Sequence, residues 1–88
     1  MSFKKPFKGI KIVELAGVLA GPSAGAFFAE LGAKVIKIEN KKTNGDVTRS
    51  WKLPSEDSRA KDSTYFWSVN RGKKSIFLDL TDSKDKEI

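Results

Sequence analysis

The sequence contains no cysteine and no histidine. The first absence excludes disulfides and cysteine-ligated zinc. The second removes the commonest general base and metal ligand. No apolar run approaches the roughly 18 residues of a membrane-spanning helix. The N-terminal stretch MSFKKPFKGI is basic, with no apolar segment ahead of a cleavage site, so no secretory signal is expected. Together these absences set the expectation of a cytoplasmic protein with no metal site and no membrane contact.

What is present is ordinary for a folded chain. Of the 88 residues, 39% are hydrophobic and 32% charged, which argues against wholesale disorder. The length allows one domain at most, and a chain this short buries only about 60–65% of its unfolded surface. The net charge is +6. Residues 1–11 carry four lysines and no acid, and the NRGKKS turn (residues 70–75) adds three basic side chains. Two readings fit: a solvated lysine-rich surface, or attraction of a polyanion, either a nucleic acid or a phosphorylated cofactor. No aromatic–basic interleaving marks an RNA-binding sheet, and no helix carries a basic stripe. A nucleic-acid partner is therefore not expected.

IKIVEL (residues 10–15) reads as a strand, rich in Ile and Val. AGVLAGPSAG follows as a Gly-rich turn, with Pro22 suited to the first helical position. SAGAFFAEL (residues 23–31) is a short helix, small residues on one side and Phe27, Phe28 and Leu31 on the other. KVIKIE (residues 34–39) is the next strand. Strand, tight turn, helix, short turn and strand make a βαβ unit, hence parallel strands in an α/β fold. Residues 40–62 have no sustained period and read as one long loop, of a kind that is functional or packed against another surface. Trp51 favours the packed alternative. STYFWSVN (residues 63–70) is ambiguous; Ser63 suits the cap of a short helix carrying Tyr65, Phe66 and Val69. SIFLDL (residues 75–80) is a third strand, with Ser75, Phe77 and Asp79 outward and Ile76, Leu78 and Leu80 inward. Thr81, Asp82 or Ser83 then caps a last helix that is cut off, as in an incomplete protein.

A glycine turn between strand and helix can present free N–H groups to an anion. The spacing here, Gly17-x-x-x-Gly21-x-x-x-Gly25, is not the dinucleotide fingerprint G-x-G-x-x-G. Glu39 ends the second strand, where a dinucleotide fold puts its ribose-binding acid. The plainer reading is that Gly21 and Gly25 only let helix and strand pack closely. Glu14, Glu39, Asp46 and Asp79 are the possible acid–base groups, each expected to be solvated. Ser23 lacks the G-x-S-x-G elbow and any histidine to activate it. Composition and spacing by themselves assign no chemistry.

Taken in order, GIKIVELAGVLAGPSAGAFFAELGAKVIKIEN, GDVTRSW and YFWSVNRGKKSIFLDL resemble the N-terminal segment of the family III CoA-transferases. That family includes formyl-CoA transferase, the carnitine and bile-acid CoA-transferases and alpha-methylacyl-CoA racemase. The resemblance runs from Gly9 to about Asp82. It implies a chain, residues 1–88, that forms the N-terminal part of a larger Rossmann-like domain in an intertwined homodimer. It implies coenzyme A, bound as an acyl-CoA substrate, with a small carboxylic acid as the other partner. The family's aspartate nucleophile, which forms mixed-anhydride and aspartyl-CoA thioester intermediates, lies beyond residue 88. This chain would then carry no catalytic residue and be inactive alone. The alternatives are a racemase-type enzyme of the same family and a non-catalytic nucleotide-binding or dimerisation fragment.

The resemblance also points to cofactor-binding positions. Leu19 and Ala20 match a dipeptide whose backbone approaches CoA; formyl-CoA transferase has Gln where Leu19 stands, so a polar contact is lost and a different acyl substrate is implied. Asn40 stands where an Arg often contacts the nucleotide, with Lys41 or Lys42 as replacement cations. Leu78, Asp79, Leu80 and Thr81 match a segment lining the adenine end, with Thr81 where Lys is frequent. Asp46, Arg49 and Trp51 match positions expected to hold the long loop in place.

Overall fold

A computed structural model describes residues 5–57 and 59–87. Lys4, counted above in the basic N-terminal segment, lies outside them. Strand β1 (Lys11–Glu14) leads to helix α1 (Ala20–Glu30) and strand β2 (Lys34–Asn40). After the long connection come helix α2 (Thr64–Asn70), strand β3 (Lys74–Leu78) and a single helical turn, α3 (Ser83–Lys86). The three strands form one parallel sheet in the order β1-β2-β3. The α/β reading therefore holds. No helix among the described residues is long and apolar enough to cross a membrane.

The register sorts the side chains. Ile12 pairs with Val35, Glu14 with Lys37, Lys37 with Ser75 and Glu39 with Phe77, so these residues share one face. Helix α1 packs on that face against β1 and β2, and α2 packs on α1. The inward side of α1 is its small one, Pro22 and Gly25, while Phe27 stays exposed and Phe28 meets Phe7 edge-on at 5.0 Å. Pro22 is the third helical residue, not the first. It is harmless there because the N–H groups of the whole first turn have no helical partner. The opposite face is only partly covered: Leu78 is buried there and Ile36, Ile38 and Ile76 are half-buried, while Val13 is 65% exposed and Leu15, just past β1, 66%.

Few apolar side chains are buried: Ala33, Val35, Phe66 and Val69, and, on the opposite sheet face, Leu78. Ser63 caps α2 as expected, its Oγ accepting from the Phe66 N–H at 3.0 Å. Two sequence expectations need correction. Residues 40–62 are not structureless, since they hold 3-10 turns at Lys41–Thr43 and Val47–Ser50, capped by Asn40 and Asp46. Ser75 and Phe77 are exposed and Leu78 is buried, as the alternation predicts, yet the exposed pair does not face away from the helices. They lie on the helix-bearing face, where Arg49 from the long connection reaches the Ser75 Oγ at 3.3 Å.

Candidate functional site

A cavity of about 220 Å3 opens at the C-terminal ends of β2 and β3. Leu15, Ile38, Leu78 and Leu80 make its apolar floor; Asn40, Lys42, Asp79 and Thr81 stand on its polar rim. Parallel sheets offer such crevices because strand ends leave a gap before the next helix. Local hydrogen bonds fix the rim. The Asn40 side chain accepts from the Lys42 N–H at 2.9 Å. Asp79 accepts from the Thr81 N–H at 2.9 Å and the Thr81 hydroxyl at 2.6 Å, and pairs with Lys42 at 3.3 Å. Lys41 pairs with Asp85 at 2.7 Å.

The Thr81 hydroxyl and N–H, with Lys42 beyond them, hold the Asp79 carboxyl below its ordinary range. The Asp85 contact raises the Lys41 ammonium. Both lysines are about half exposed or more, at 48% and 62%, so these pairs are weak and open to exchange for another anion. The volume is below the roughly 300–1,000 Å3 of a site that buries a whole drug-sized ligand. It suits one part of a larger molecule.

The structure brings together Asn40, Leu78, Asp79, Leu80 and Thr81, which adjoin this cavity. It does not bring Leu19 and Ala20 into it. They lie on the turn after β1 and at the start of α1, both exposed; Leu15, four residues before Leu19, does line the cavity.

Sequence reasoning missed the buried charges. Lys37, in the middle of β2, is 0% exposed. Its Nζ pairs with Glu14 at 3.1 Å and Asp46 at 3.0 Å and donates to the Ala16 carbonyl at 2.9 Å. Glu14 also accepts from Lys73, at 2.8 Å, whose Nζ further donates to the Pro22 carbonyl at 2.8 Å and Asn70 Oδ1 at 3.0 Å. Two lysines and two carboxylates thus balance to zero charge. Gly25 makes room for them, because a Cβ there would overlap Glu14 Oε1. Burial would raise the Asp46 carboxyl, but the Thr48 N–H and hydroxyl and the Lys37 ammonium outweigh it and leave the group below its ordinary value. Burial lowers Lys73, against the pull of Glu14.

A second pair ties the long connection to the sheet. Arg49 grips Glu39 with two bonds, Nε to Oε1 at 2.8 Å and Nη2 to Oε2 at 2.6 Å, and pairs with Asp62 at 2.8 Å. Its guanidinium lies 3.9 Å from the Phe66 ring centre. Glu39 also accepts from the Asp46 N–H at 2.8 Å. That contact needs Gly45, whose φ is +94° and where a Cβ would meet Glu39 Oε1 at 2.6 Å. Trp51 stacks edge-on against Tyr65 at 5.3 Å. Burial of Glu39 opposes its charge, yet Arg49 and the Asp46 N–H hold its carboxyl below the usual range. The Glu39 bond in turn raises Arg49.

Glu14, Glu39 and Asp46 are therefore not solvated acids but partners in buried pairs. The signal was available in Val35-x-Lys37-x-Glu39, where period-2 alternation places both charges on the face of Val35. Among the described residues, no group of three or more His, Cys, Asp or Glu side chains is placed to hold a metal ion.

These carboxylates make stability depend on pH. Unfolded Asp and Glu titrate near about 3.9 and 4.3. Folded Glu39 and Asp46 titrate lower, so their contribution is complete above those values and disappears as pH falls through the folded ones. The urea midpoint is expected to be flat from about pH 7 to 5 and to drop below about pH 4. Glu39→Gln should flatten that drop; an unchanged acid limb would contradict it.

The family described as CoA-transferase family III matches residues 7–88. Succinate–glutarate CoA-transferase of Agrobacterium fabrum is 49% identical over 80 residues, covering 88% of this chain and 20% of that protein. The human succinyl-CoA:glutarate CoA-transferase is 46% identical over 84 residues, covering 96% and 18%. Among solved structures, a CAIB/BAIF family protein from Brucella suis superposes with a TM-score of 0.83 at 41% identity, over 97% of this chain and 22% of that one. The chain thus spans about a fifth of the length of the relatives it matches. A match over nearly its whole length, in sequence and in fold, makes it a member of CoA-transferase family III.

Proposed function

We propose that this chain supplies part of the CoA site of an enzyme that moves CoA from an acyl-CoA thioester to a free carboxylic acid. The observation that carries the reading is the cavity at the strand ends, where Asn40 and Leu78 to Thr81 meet beside two exchangeable lysines. Its apolar floor suits a base or pantetheine segment, and Lys41 and Lys42 suit phosphate. Leu19 and Ala20 would border the cofactor from the neighbouring turn. The succinyl and glutarate names of the relatives suggest short dicarboxylates as donor and acceptor.

The carboxylates of Glu14, Glu39 and Asp46 are committed to buried pairs, which leaves them poor nucleophiles. The covalent steps are assigned to a carboxylate outside these 88 residues. The partly uncovered face carrying the exposed Val13, with Leu15 exposed just beyond it, supports the same view, since parallel sheets are normally covered on both faces. We place the chain in the cytoplasm, as the N-terminal part of a larger domain whose remaining chain, or a second subunit of a homodimer, covers that face.

Calorimetric titration with CoA tests the site, and Lys42→Ala is expected to weaken binding by about threefold to tenfold, less at high salt. Transfer of CoA from succinyl-CoA to glutarate is expected of the intact enzyme and not of the 88-residue chain. Turnover by the chain alone would overturn the assignment of the nucleophile.

A further inference from the structure

The turn that follows β1 is held in a conformation its own residues resist. Val18 has φ 67°, in the left-handed region, where a β-branched residue is a genuine outlier. Such a residue persists only where its surroundings over-determine it. Here the surroundings are one buried ion pair. Asp46 Oδ2 accepts from the Val18 N–H at 3.3 Å and pairs with Lys37 at 3.0 Å; Lys37 donates to the Ala16 carbonyl at 2.9 Å. Both ends of the 16–18 turn are thus gripped by a pair whose side chains are 1% and 2% exposed. The other Asp46 oxygen has a separate task, capping the Val47–Ser50 turn through the Thr48 N–H at 3.0 Å and the Thr48 hydroxyl at 2.8 Å.

We propose that Lys37 and Asp46 are positioning residues. They set the backbone of the 16–18 turn, and so fix where Leu19 and Ala20 stand. A glycine at position 18 would adopt this φ unaided. With valine there, the turn depends on the pair. The inference rests on the reading that this turn borders CoA.

Asp46→Asn separates the two tasks of Asp46. It is isosteric, keeps an oxygen for the Thr48 cap, and turns a donor toward Val18 and Lys37. In the intact protein, Asp46→Asn is expected to speed exchange of the Val18 amide proton about tenfold and to weaken CoA binding by about tenfold, measured per folded molecule. Adding Val18→Gly to Asp46→Asn should recover most of the affinity, which a merely stabilising role would not do. Should Asp46→Asn fail to fold, Val18→Pro forbids the positive φ and removes the N–H that Asp46 accepts while leaving the Lys37–Asp46 pair itself in place, and it should lose affinity for CoA. Unchanged Val18 exchange in Asp46→Asn, or full affinity in Val18→Pro, would overturn the proposal. If the unaltered protein binds no CoA, the reading of the site falls, while Val18 exchange still decides whether the pair holds the turn.

Discussion

Replacing Lys37 with methionine is expected to cost about 3–5 kcal/mol, the usual price of leaving a buried charge without its partner. Lys37 is wholly buried, and its removal strands Glu14 and Asp46 with Lys73 as their one remaining cation. A loss of that size is a large share of the roughly 5–15 kcal/mol that stabilises a whole domain. Adding Glu14→Gln to the variant brings the cluster back to zero net charge. The double variant should be more stable than Lys37→Met alone, which a simple packing defect would not produce. Urea unfolding of the four proteins in the cycle measures this coupling. Additive losses would show that the pairs are energetically independent.

The second large effect is expected at Arg49. Arg49→Ala removes a two-pronged bond to Glu39, an ion pair with Asp62 and a ring contact with Phe66. It leaves Glu39, 3% exposed, without a charge partner. A loss of about 3–5 kcal/mol follows. Arg49→Lys should recover less than half, because an ammonium cannot reproduce two parallel bonds and a planar contact. Since Arg49 ties the long connection to β2 and β3, proteolysis between residues 51 and 62 should quicken in both variants. A lysine variant as stable as the native protein would show that charge alone matters there.

The architecture was legible because its signals are local. Ile- and Val-rich strands, the Ser63 cap and the spacing of β1, α1 and β2 each report on a few neighbouring residues. The buried pairs were not legible in the same way. Glu14, Lys37, Asp46 and Lys73 are 9 to 59 residues apart in sequence, and only the sheet register and the fold of the long connection bring them together. A lysine in a strand reads as solvated until its partners are placed. The long connection was misread for a related reason. Its short 3-10 turns depend on caps from Asn40 and Asp46, and its position depends on Arg49 reaching back to Glu39. Of the candidate site, Asn40 and Leu78 to Thr81 converge because they end adjacent parallel strands. Leu19 and Ala20 start a helix instead and stand apart from the cavity.

Hydrogen exchange of the intact protein, with and without saturating CoA, tests the assignment of the CoA site most directly. Slower exchange is expected in the segments 15–21, 38–42 and 78–82, with no change at Lys8, Lys11 and Lys34 at the opposite end of the strands. Protection confined to the lysine-rich end, or none in those three segments, would contradict it.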